Sequence, residues 1–382
     1  MYKKKDSFVY FKNIKKSDFI NTKKKILDIL ENKKKISAFN NDDKLILNKI
    51  IEDLKKTDVK KKPEEVFSLK ENTLAEINSF DDDYKIISYL VHRYRYEIFP
   101  VTKEKHYYPP LIQIEPSSIC NFRCVFCFET DKSFTNKKNG FMGTMSLNIY
   151  KKIIDEIENK VEFITLASRG EPLVNNGIIE MLKYSNNKFL NLKLNTNASL
   201  LTEEKIHAIL SNGVKTLVFS ADAAEPDLYK KLRVNGSLET TLKNIKLFNK
   251  IKNKDYSNNK IITRVSGVKF SKDQDFDSML NLWGNLVDQV VFVDYNPWEN
   301  SYEKDKNNLL TPCSDLWRRM FIWWDGTVNP CDVDYKSYLK VGNIEENSIK
   351  NLWNSESYKN LRTKHLNRDR KSITPCGSCT VV

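Results

Sequence analysis

The chain has 382 residues, of which 40% are hydrophobic and 11% aromatic, and this indicates a globular protein of two or three domains. It contains no apolar run of about 18 residues, which a membrane-spanning helix needs, and its start, Met1-Tyr2-Lys3-Lys4-Lys5, is unlike a secretion signal. We therefore expect a cytoplasmic protein whose seven cysteines are reduced thiols or metal ligands rather than disulfides.

The net charge of +13 is concentrated near the N-terminus. Residues 1–62 contain 19 lysines, nine acidic residues and no arginine, with lysine triplets at 3–5, 23–25, 33–35 and 60–62. Such a segment fits either a basic arm for nucleic acid or a lysine-rich solvated surface. Because neither arginine nor a stripe of aromatic residues accompanies the lysines, the solvated surface is favoured, and nucleic acid is not expected as a partner.

Residues 1–105 are expected to form a helical extension. Apolar residues at helical spacing predict one short helix around Leu27 and Leu30 and a second from Leu45 to Leu54. Residues 79–98 predict a third helix, whose aromatic end we expect to pack on the following domain. Since residues 1–75 hold no cysteine and their charge is segregated from that domain, we expect them to be dispensable for its chemistry.

From residue 111 onward, strands and helices alternate. Ser146, Thr202, Pro226 and Ser237 are residue types that begin helices. Six strands are predicted, at 111–115, 161–167, 190–195, 216–220, 261–270 and 290–294. This alternation predicts an α/β fold with a parallel sheet or barrel over residues 106–305. In such barrels the chemistry lies at the C-terminal ends of the strands.

Three cysteines follow the end of the first predicted strand with the spacing C-x3-C-x2-C. They are Cys120, Cys124 and Cys127. Three thiolates in one loop can hold three irons of a 4Fe-4S cluster, and the fourth iron then stays open. A closed zinc site and the usual electron-transfer clusters need four ligands, so a zinc or redox elbow is the less favoured alternative.

This cysteine triple, with Phe126 just before its last member, resembles the radical S-adenosylmethionine (SAM) superfamily. The resemblance implies a partial, TIM-like (β/α)6 barrel, a catalytic 4Fe-4S cluster on the three cysteines, and SAM bound at the open iron. It also implies reductive cleavage of SAM, abstraction of a hydrogen atom from the substrate, and a flavodoxin- or ferredoxin-type electron donor.

The ends of the next three strands extend the resemblance. Residues 168–172, SRGEP, are similar to the Gly-Gly-Glu-Pro motif of the family. Arg169 stands in place of the first glycine, so the local turn is expected to differ. Residues 195–197, residues 220–222 and a later arginine are similar to the family's contacts with SAM. The resemblance thus implies eight contacts with SAM: Phe126, Gly170, Glu171, Asn195, Thr196, Ser220, Asp222 and Arg233.

The remaining four cysteines fall in the last quarter of the chain. They are Cys313, Cys331, Cys376 and Cys379. Residues 320–330 predict a hairpin with an Asp325-Gly326 turn, which would bring the first two cysteines toward each other. The pattern resembles the SPASM family and its shortened twitch form, which implies one auxiliary 4Fe-4S cluster on four cysteines within residues 306–382. A structural zinc site is the alternative. We expect most of the six tryptophans to lie in the core and to shield this cluster.

The combined resemblance implies a radical SAM enzyme of the oxidoreductase type. Because the two clusters would use every cysteine, no thiol remains to return a hydrogen atom to the substrate, and this favours net oxidation over epimerisation. The auxiliary cluster would accept an electron, and a polar residue would accept a proton. Candidates for that base are Arg264, Lys269, Asp294, Asp332 and Asp334.

The substrate is predicted less directly. Because the N-terminal extension shows no peptide-recognition module, a small carbohydrate-like molecule is favoured. One alternative is a maturase that modifies a peptide or protein. Another, from a different class, is a nucleic-acid-binding protein with structural clusters, whose affinity would fall steeply with salt.

Overall fold

The computed structural model describes residues 7–12, 14–56, 61–297 and 301–382. Its strands are β1 Phe8–Phe11, β2 Leu111–Ile114, β3 Arg123–Cys124, β4 Phe163–Leu166, β5 Asn191–Thr196, β6 Val214–Ser220, β7 Arg233–Val234, β8 Ile262–Lys269, β9 Gln289–Asp294, β10 Arg319–Ile322, β11 Thr327–Asn329 and β12 Gly342–Asn343. The lysine triplet at 3–5, Lys60 and Trp298 lie outside the described residues.

Helices cover one face of the sheet and form the N-terminal region. They are α1 Lys16–Glu31, α2 Lys33–Ile36, α3 Asn41–Lys55, α4 Glu71–Ser79, α5 Asp83–Glu97, α6 Phe99–Thr102, α7 Lys132–Thr135, α8 Leu147–Ile157, α9 Ile178–Tyr184, α10 Glu203–Ser211, α11 Pro226–Leu232, α12 Leu238–Asp255, α13 Phe276–Gly284, α14 Asp315–Arg318, α15 Ile349–Trp353 and α16 Glu356–Leu366. No helix in these described segments is both long and apolar enough to cross a membrane.

Ten strands form one sheet in the order β1-β9-β8-β6-β5-β4-β2-β10-β11-β12. Six of them, from β9 across to β2, are mutually parallel and correspond to the six predicted strands. Strand β1 pairs antiparallel with β9 at one edge of this parallel core, and β10 pairs parallel with β2 at the other. The predicted α/β class and the six-stranded core are therefore confirmed.

Apolar and polar side chains alternate along the parallel strands and therefore lie on opposite faces of the sheet. In β5, Leu192 and Leu194 are buried in the apolar core that contains the covering helices, while Asn191, Lys193 and Asn195 face a cavity on the other side. Each fully buried leucine side chain contributes about 1.5–3 kcal/mol to stability. The packing of the helices on one face thus fixes the direction of the polar residues on the opposite face.

The helices begin where their capping residues predict. The Ser146 side chain accepts a hydrogen bond from the amide of Ile149, and Thr202 does the same for the amide of Lys205. Ser237 caps α12, and Pro226 is the first residue of α11. These caps satisfy backbone donors that a helix leaves unpaired at its start, so the helix starts could be predicted from local sequence.

The N-terminal region contains elements that were not predicted, among them two that are longer than a single helical turn or pair with the sheet. Helices α1, α3 and α5 lie where three helices were predicted, but α4 and strand β1 were not predicted. Strand β1 pairs with β9 of the parallel core, so the segment predicted as a helical extension also adds a strand to the sheet. The dispensability of residues 1–75 for the chemistry stays a prediction. A four-residue strand in a lysine-rich segment carries too little alternation to be recognised before its partner strand is known.

The C-terminal region continues the same sheet. Strands β10 and β11 form the predicted antiparallel hairpin, and Gly326 in its turn has a φ of +81°, a conformation that favours glycine. Because β10 also pairs with β2, the hairpin is attached directly to the strand that precedes the cysteine triple. This attachment places the two groups of cysteines on one continuous framework.

Candidate active site and auxiliary cysteine site

A cavity of about 230 Å³ lies at the C-terminal ends of the parallel strands. Cys120, Cys124 and Cys127 line it together with seven of the eight residues predicted to contact SAM. The eighth, Asp222, lies behind the wall, where its carboxylate pairs with Arg233 at 2.5 Å. Residues from five separate chain segments, far apart in sequence, therefore meet at one site.

The cysteine loop is held by a short antiparallel pairing. Strand β3, which contains Cys124, pairs with β7, which begins at Arg233. Within the loop, the amide of Cys127 donates to the carbonyl of Cys124 at 3.0 Å. Burial, followed by the nearby Glu171 carboxylate, raises the pKa of the Cys120 thiol to about 12. A raised pKa keeps a free thiol protonated and makes it a poor nucleophile. Metal binding requires deprotonated thiols, so these half-buried sulfurs become thiolates when a cationic centre such as cluster iron binds them.

Glu171 ties the end of β4 to the end of β5. Its carboxylate accepts hydrogen bonds from the Thr196 hydroxyl and the Asn197 amide, both at 2.7 Å, and from the Leu173 amide at 3.1 Å. A carboxylate has about four acceptor positions, so one remains for a further donor. The preceding Gly170 is required by close packing, because a Cβ there would lie 2.5 Å from the backbone carbon of Ser118.

Arg169, the departure from the family motif, occupies a buried position with many partners. Its guanidinium forms two 2.7 Å hydrogen bonds with the carboxylate of Glu115, and both side chains are almost fully buried. It also donates to the Tyr335 carbonyl at 2.8 Å and lies 4.2 Å from the centre of the Trp323 ring. Ser168 beside it has a φ of +140°, which residues other than glycine rarely adopt; the difference from the family's turn stays a prediction. The arginine links the barrel to the C-terminal region.

Arg233 faces the cysteine loop from the other side. Its guanidinium lies 3.8 Å from the Cys124 sulfur and 5.9 Å from the centre of the Phe126 ring. Asp222 orients it and is itself held by the amide of Val268 at 2.5 Å. A buried guanidinium next to the cysteines presents positive charge where a carboxylate could bind.

A second cavity, of about 240 Å³, is lined by Cys313, Cys331, Cys376 and Cys379. The predicted hairpin therefore does bring its cysteines to the C-terminal pair. Burial raises the pKa of all four thiols, to about 12 for Cys313. Cys376 is buried and the other three are half-buried, and four sulfur donors around one space fit a site with a complete set of protein ligands.

Arg370 organises this second site and was missed by the sequence analysis. The side chain is 1% exposed, and its guanidinium donates to the carbonyls of Cys376, Cys379, Thr311 and Val381 at 2.7–3.1 Å. One arginine thus holds the chain before Cys313 and the C-terminal cysteine loop together. An arginine six residues before a C-x2-C pair carries no local signal of such a role.

The other predicted residues are distributed among several environments. Lys269 and Asp294 form an ion pair at 3.5 Å and line the second cavity, as does Asp332. Asp334 is instead occupied by hydrogen bonds, among them those from the Tyr302 hydroxyl and the Leu339 amide. Tryptophans at 283, 317, 323 and 353 are buried, as expected. No tryptophan of the described residues lines the second cavity, so the predicted shield is not formed by them.

Two family models match the chain. Residues 114–282 match the radical SAM superfamily, and residues 313–380 match the SPASM iron–sulfur cluster-binding domain. The chain therefore belongs to the radical SAM superfamily and carries a C-terminal SPASM domain. Both domains imply 4Fe-4S clusters, and the first implies SAM, so the predicted class, enzymatic nature and cofactors are confirmed.

Several characterised proteins are similar in sequence. The chain is 24% identical over 314 residues to the tungsten-containing aldehyde ferredoxin oxidoreductase cofactor-modifying protein of Pyrococcus furiosus. The aligned region covers 69% of this chain and 86% of that protein. The chain is 25% identical over 319 residues to the cysteine-type anaerobic sulfatase-maturating enzyme of Clostridium novyi, with coverage of 69% and 83%. Similarity to the AdoMet-dependent heme synthase of Methanosarcina barkeri reaches 31% over 143 residues, but spans only 40% of that protein.

Solved structures share the fold. BtrN in complex with AdoMet and 2-DOIA superposes with a TM-score of 0.50 and 16% identity, over 72% of this chain and 93% of that one. SuiB of Streptococcus suis bound to S-adenosylmethionine gives a TM-score of 0.52 and 14% identity, over 76% of each chain. At these identities the likeness is one of fold, and it agrees with the predicted barrel-type architecture.

Proposed function

We propose that the protein is a radical SAM oxidoreductase that oxidises a small, polar, carbohydrate-like substrate. The observation that carries the proposal is the single cavity in which the three spaced cysteines meet seven residues implied as SAM contacts. Cys120, Cys124 and Cys127 would hold the catalytic cluster. When bound, the cluster and SAM supply the one-electron chemistry that removes a hydrogen atom from substrate.

The residues around the cysteines would bind and orient SAM. Glu171 keeps the ends of β4 and β5 together and has one acceptor position for a donor such as the SAM amino group. Arg233 offers a buried guanidinium for a carboxylate, and Asp222 fixes its direction. Phe126 provides an apolar wall beside the same arginine. Together these residues would exclude water and define one orientation for SAM.

The second site favours oxidation as the outcome. Cys313, Cys331, Cys376 and Cys379 would give an auxiliary cluster a complete set of ligands, so the substrate would have no open iron there. All seven cysteines are then in use, and none is left to return a hydrogen atom. An auxiliary cluster as electron acceptor accounts for both features.

Iron content and SAM cleavage test the proposal. After anaerobic reconstitution we expect about eight irons per chain, and about four when the first three cysteines are replaced by alanine. With dithionite, and later with a flavodoxin- or ferredoxin-type donor, the protein should cleave SAM to 5′-deoxyadenosine and methionine. Saturation at four irons in the wild type, or stoichiometric zinc after anaerobic isolation, would contradict the two-cluster assignment.

A second candidate function is the modification of a peptide or protein. It is favoured by the name of one relative with long coverage, the sulfatase-maturating enzyme of Clostridium novyi. Incubation with peptides encoded beside the gene, followed by mass analysis, tests it. A peptide product lighter by two hydrogens would favour this candidate over a small-molecule substrate.

A further inference from the structure

A third cavity, of about 450 Å³, lies on the face of the parallel sheet away from the covering helices. It shares Asn195 and Ser266 with the candidate active site. It also shares Arg318, Arg319 and Val293 with the auxiliary cysteine cavity. We call it the interior cavity. Its position between the two cysteine sites and its size, within the range of about 300–1,000 Å³ typical of small-molecule sites, suit a substrate.

The interior cavity has an excess of positive charge. Its lining contains two carboxylates, those of Glu76 and Glu97, and six cationic side chains. The cations are Lys70, Arg93, Lys193, Arg264, Arg318 and Arg319. Burying so many cations costs free energy unless each is paired.

Four of the six cations have an acidic partner. Glu97 pairs with Arg93 and with Lys70, while Asp315 lies 2.8 Å from Arg318 and 3.6 Å from Arg319. Among the described residues, no carboxylate lies within ion-pair distance of the other two, Lys193 and Arg264.

Lys193 of β5 and Arg264 of β8 line the same cavity from the two strands on either side of β6. The Arg264 guanidinium has a Gln289 side-chain oxygen as its hydrogen-bond partner and lies 4.7 Å from the centre of the Phe8 ring. Burial, followed by repulsion from Arg264 and Arg319, lowers the pKa of Lys193 to about 8. An anion between the two cations would relieve that repulsion.

Neutral polar atoms in the same wall also lack partners. The Thr165 hydroxyl and the side-chain oxygens of Asn191 and Asn195 are buried without a hydrogen bond. Buried polar atoms are normally paired, and an amide oxygen needs a donor such as a ligand hydroxyl. Along β5, Lys193 is two residues, or about 7 Å, from Asn195, which faces the cysteines.

We propose that the interior cavity binds the substrate by an anionic group, a phosphate or a carboxylate, held between Lys193 and Arg264. The hydroxylated remainder of the molecule lies along β5, with its hydroxyls near Asn191 and Asn195, and reaches the cavity of the cysteine triple. This assignment rests on the proposed function, since it defines the substrate class of the same site. It adds a charged anchor to the carbohydrate-like molecule expected from the sequence.

Acetylation of Lys193 provides a site-specific test. Anaerobically reconstituted full-length protein is treated with an acetylating reagent at pH 8 in chloride, inorganic phosphate or malonate at equal ionic strength, and each lysine is followed by peptide mass analysis. At saturating phosphate or malonate, the acetylation of Lys193 should slow at least about fivefold, as occupancy requires. Lys183, an exposed lysine of α9, is the internal control and should not change.

Arg264→Gln supplies the second arm. It should weaken the protecting anion by about tenfold, because it removes one of the two charges that hold it, and its iron content reports folding. Protection by phosphate alone identifies a phosphorylated substrate, and protection by malonate alone a carboxylate. No protection by either anion, unchanged protection in Arg264→Gln, or a Lys193 that never acetylates would overturn the proposal.

The two proposals fail separately. The acetylation experiment needs neither SAM nor a reductant, so it can succeed even when no SAM is cleaved. Wild-type protein that binds phosphate at Lys193 but does not cleave SAM would contradict the proposed function alone. Protein that cleaves SAM and leaves Lys193 unprotected would contradict only the anion site.

Discussion

Arg169→Met should destabilise the fold by breaking the buried ion pair with Glu115. Both side chains are almost fully buried, and the two 2.7 Å hydrogen bonds between them are charge-assisted. Methionine keeps much of the apolar volume but removes the positive charge. Among the described residues, the change leaves the Glu115 carboxylate with only the backbone amides of residues 169 and 324 as donors.

The expected loss is about 3–5 kcal/mol, the cost of leaving one member of a buried pair without its partner. The hydrogen bond from Arg169 to the Tyr335 carbonyl adds about 1 kcal/mol to this loss. In the double variant Arg169→Met/Glu115→Leu no charge is left buried, so most of the loss should be recovered. The coupling between the two positions should therefore reach at least about 2 kcal/mol.

Urea unfolding followed by tryptophan fluorescence measures both quantities, because Trp323 lies against the arginine. Arg368→Met is the matched control, since Arg368 is exposed, and it should unfold like the wild type. The reasoning fails if the free energy of unfolding of Arg169→Met lies within about 1 kcal/mol of that of the wild type. It also fails if the destabilisation of the double variant equals the sum of the destabilisations of the two single variants.

Three further predictions follow from the two cysteine sites and the N-terminal helices. Glu171→Ala should weaken SAM binding by roughly tenfold, because buried donors at the end of β5 lose their acceptor. The control Glu180→Ala, on exposed α9, should leave SAM binding unchanged, and both variants are compared by equilibrium binding at equal iron content. Arg370→Met should retain about four irons instead of about eight, whereas the control Lys371→Met, at an exposed residue, should retain all of them. Equal iron contents in the two variants would contradict the role of Arg370 in organising the second cysteine site. Burial, followed by repulsion from two arginines, lowers the pKa of His92 well below 6.5, so the unfolded state binds more protons and stability falls as pH drops below about 6.5. In urea unfolding between pH 7 and pH 5, His92→Phe should lose less stability than the wild type, and equal slopes would refute this.

Much of the fold and the candidate site follow from local sequence. The six parallel strands and their helices could be predicted because apolar periodicity and capping residues act within one element. The spacing of Cys120, Cys124 and Cys127 reflects a single loop, so it too is visible without tertiary structure. The order of the motifs after successive strands then places them at one edge of the sheet.

Only the tertiary structure decided which elements become neighbours and which charges are compensated. Strand β1 joins the sheet because the edge of β9 is open to it. The sequence of the four residues of β1 contains no information about that distant edge. Arg169 and Arg370 resemble surface arginines in the sequence, and their partners, Glu115 and the carbonyls around the C-terminal cysteines, come from distant segments. Lys193 stands out only when the two faces of β5 are known, because helix packing on one face directs the lysine into the interior cavity, where no carboxylate of the described residues lies within ion-pair distance.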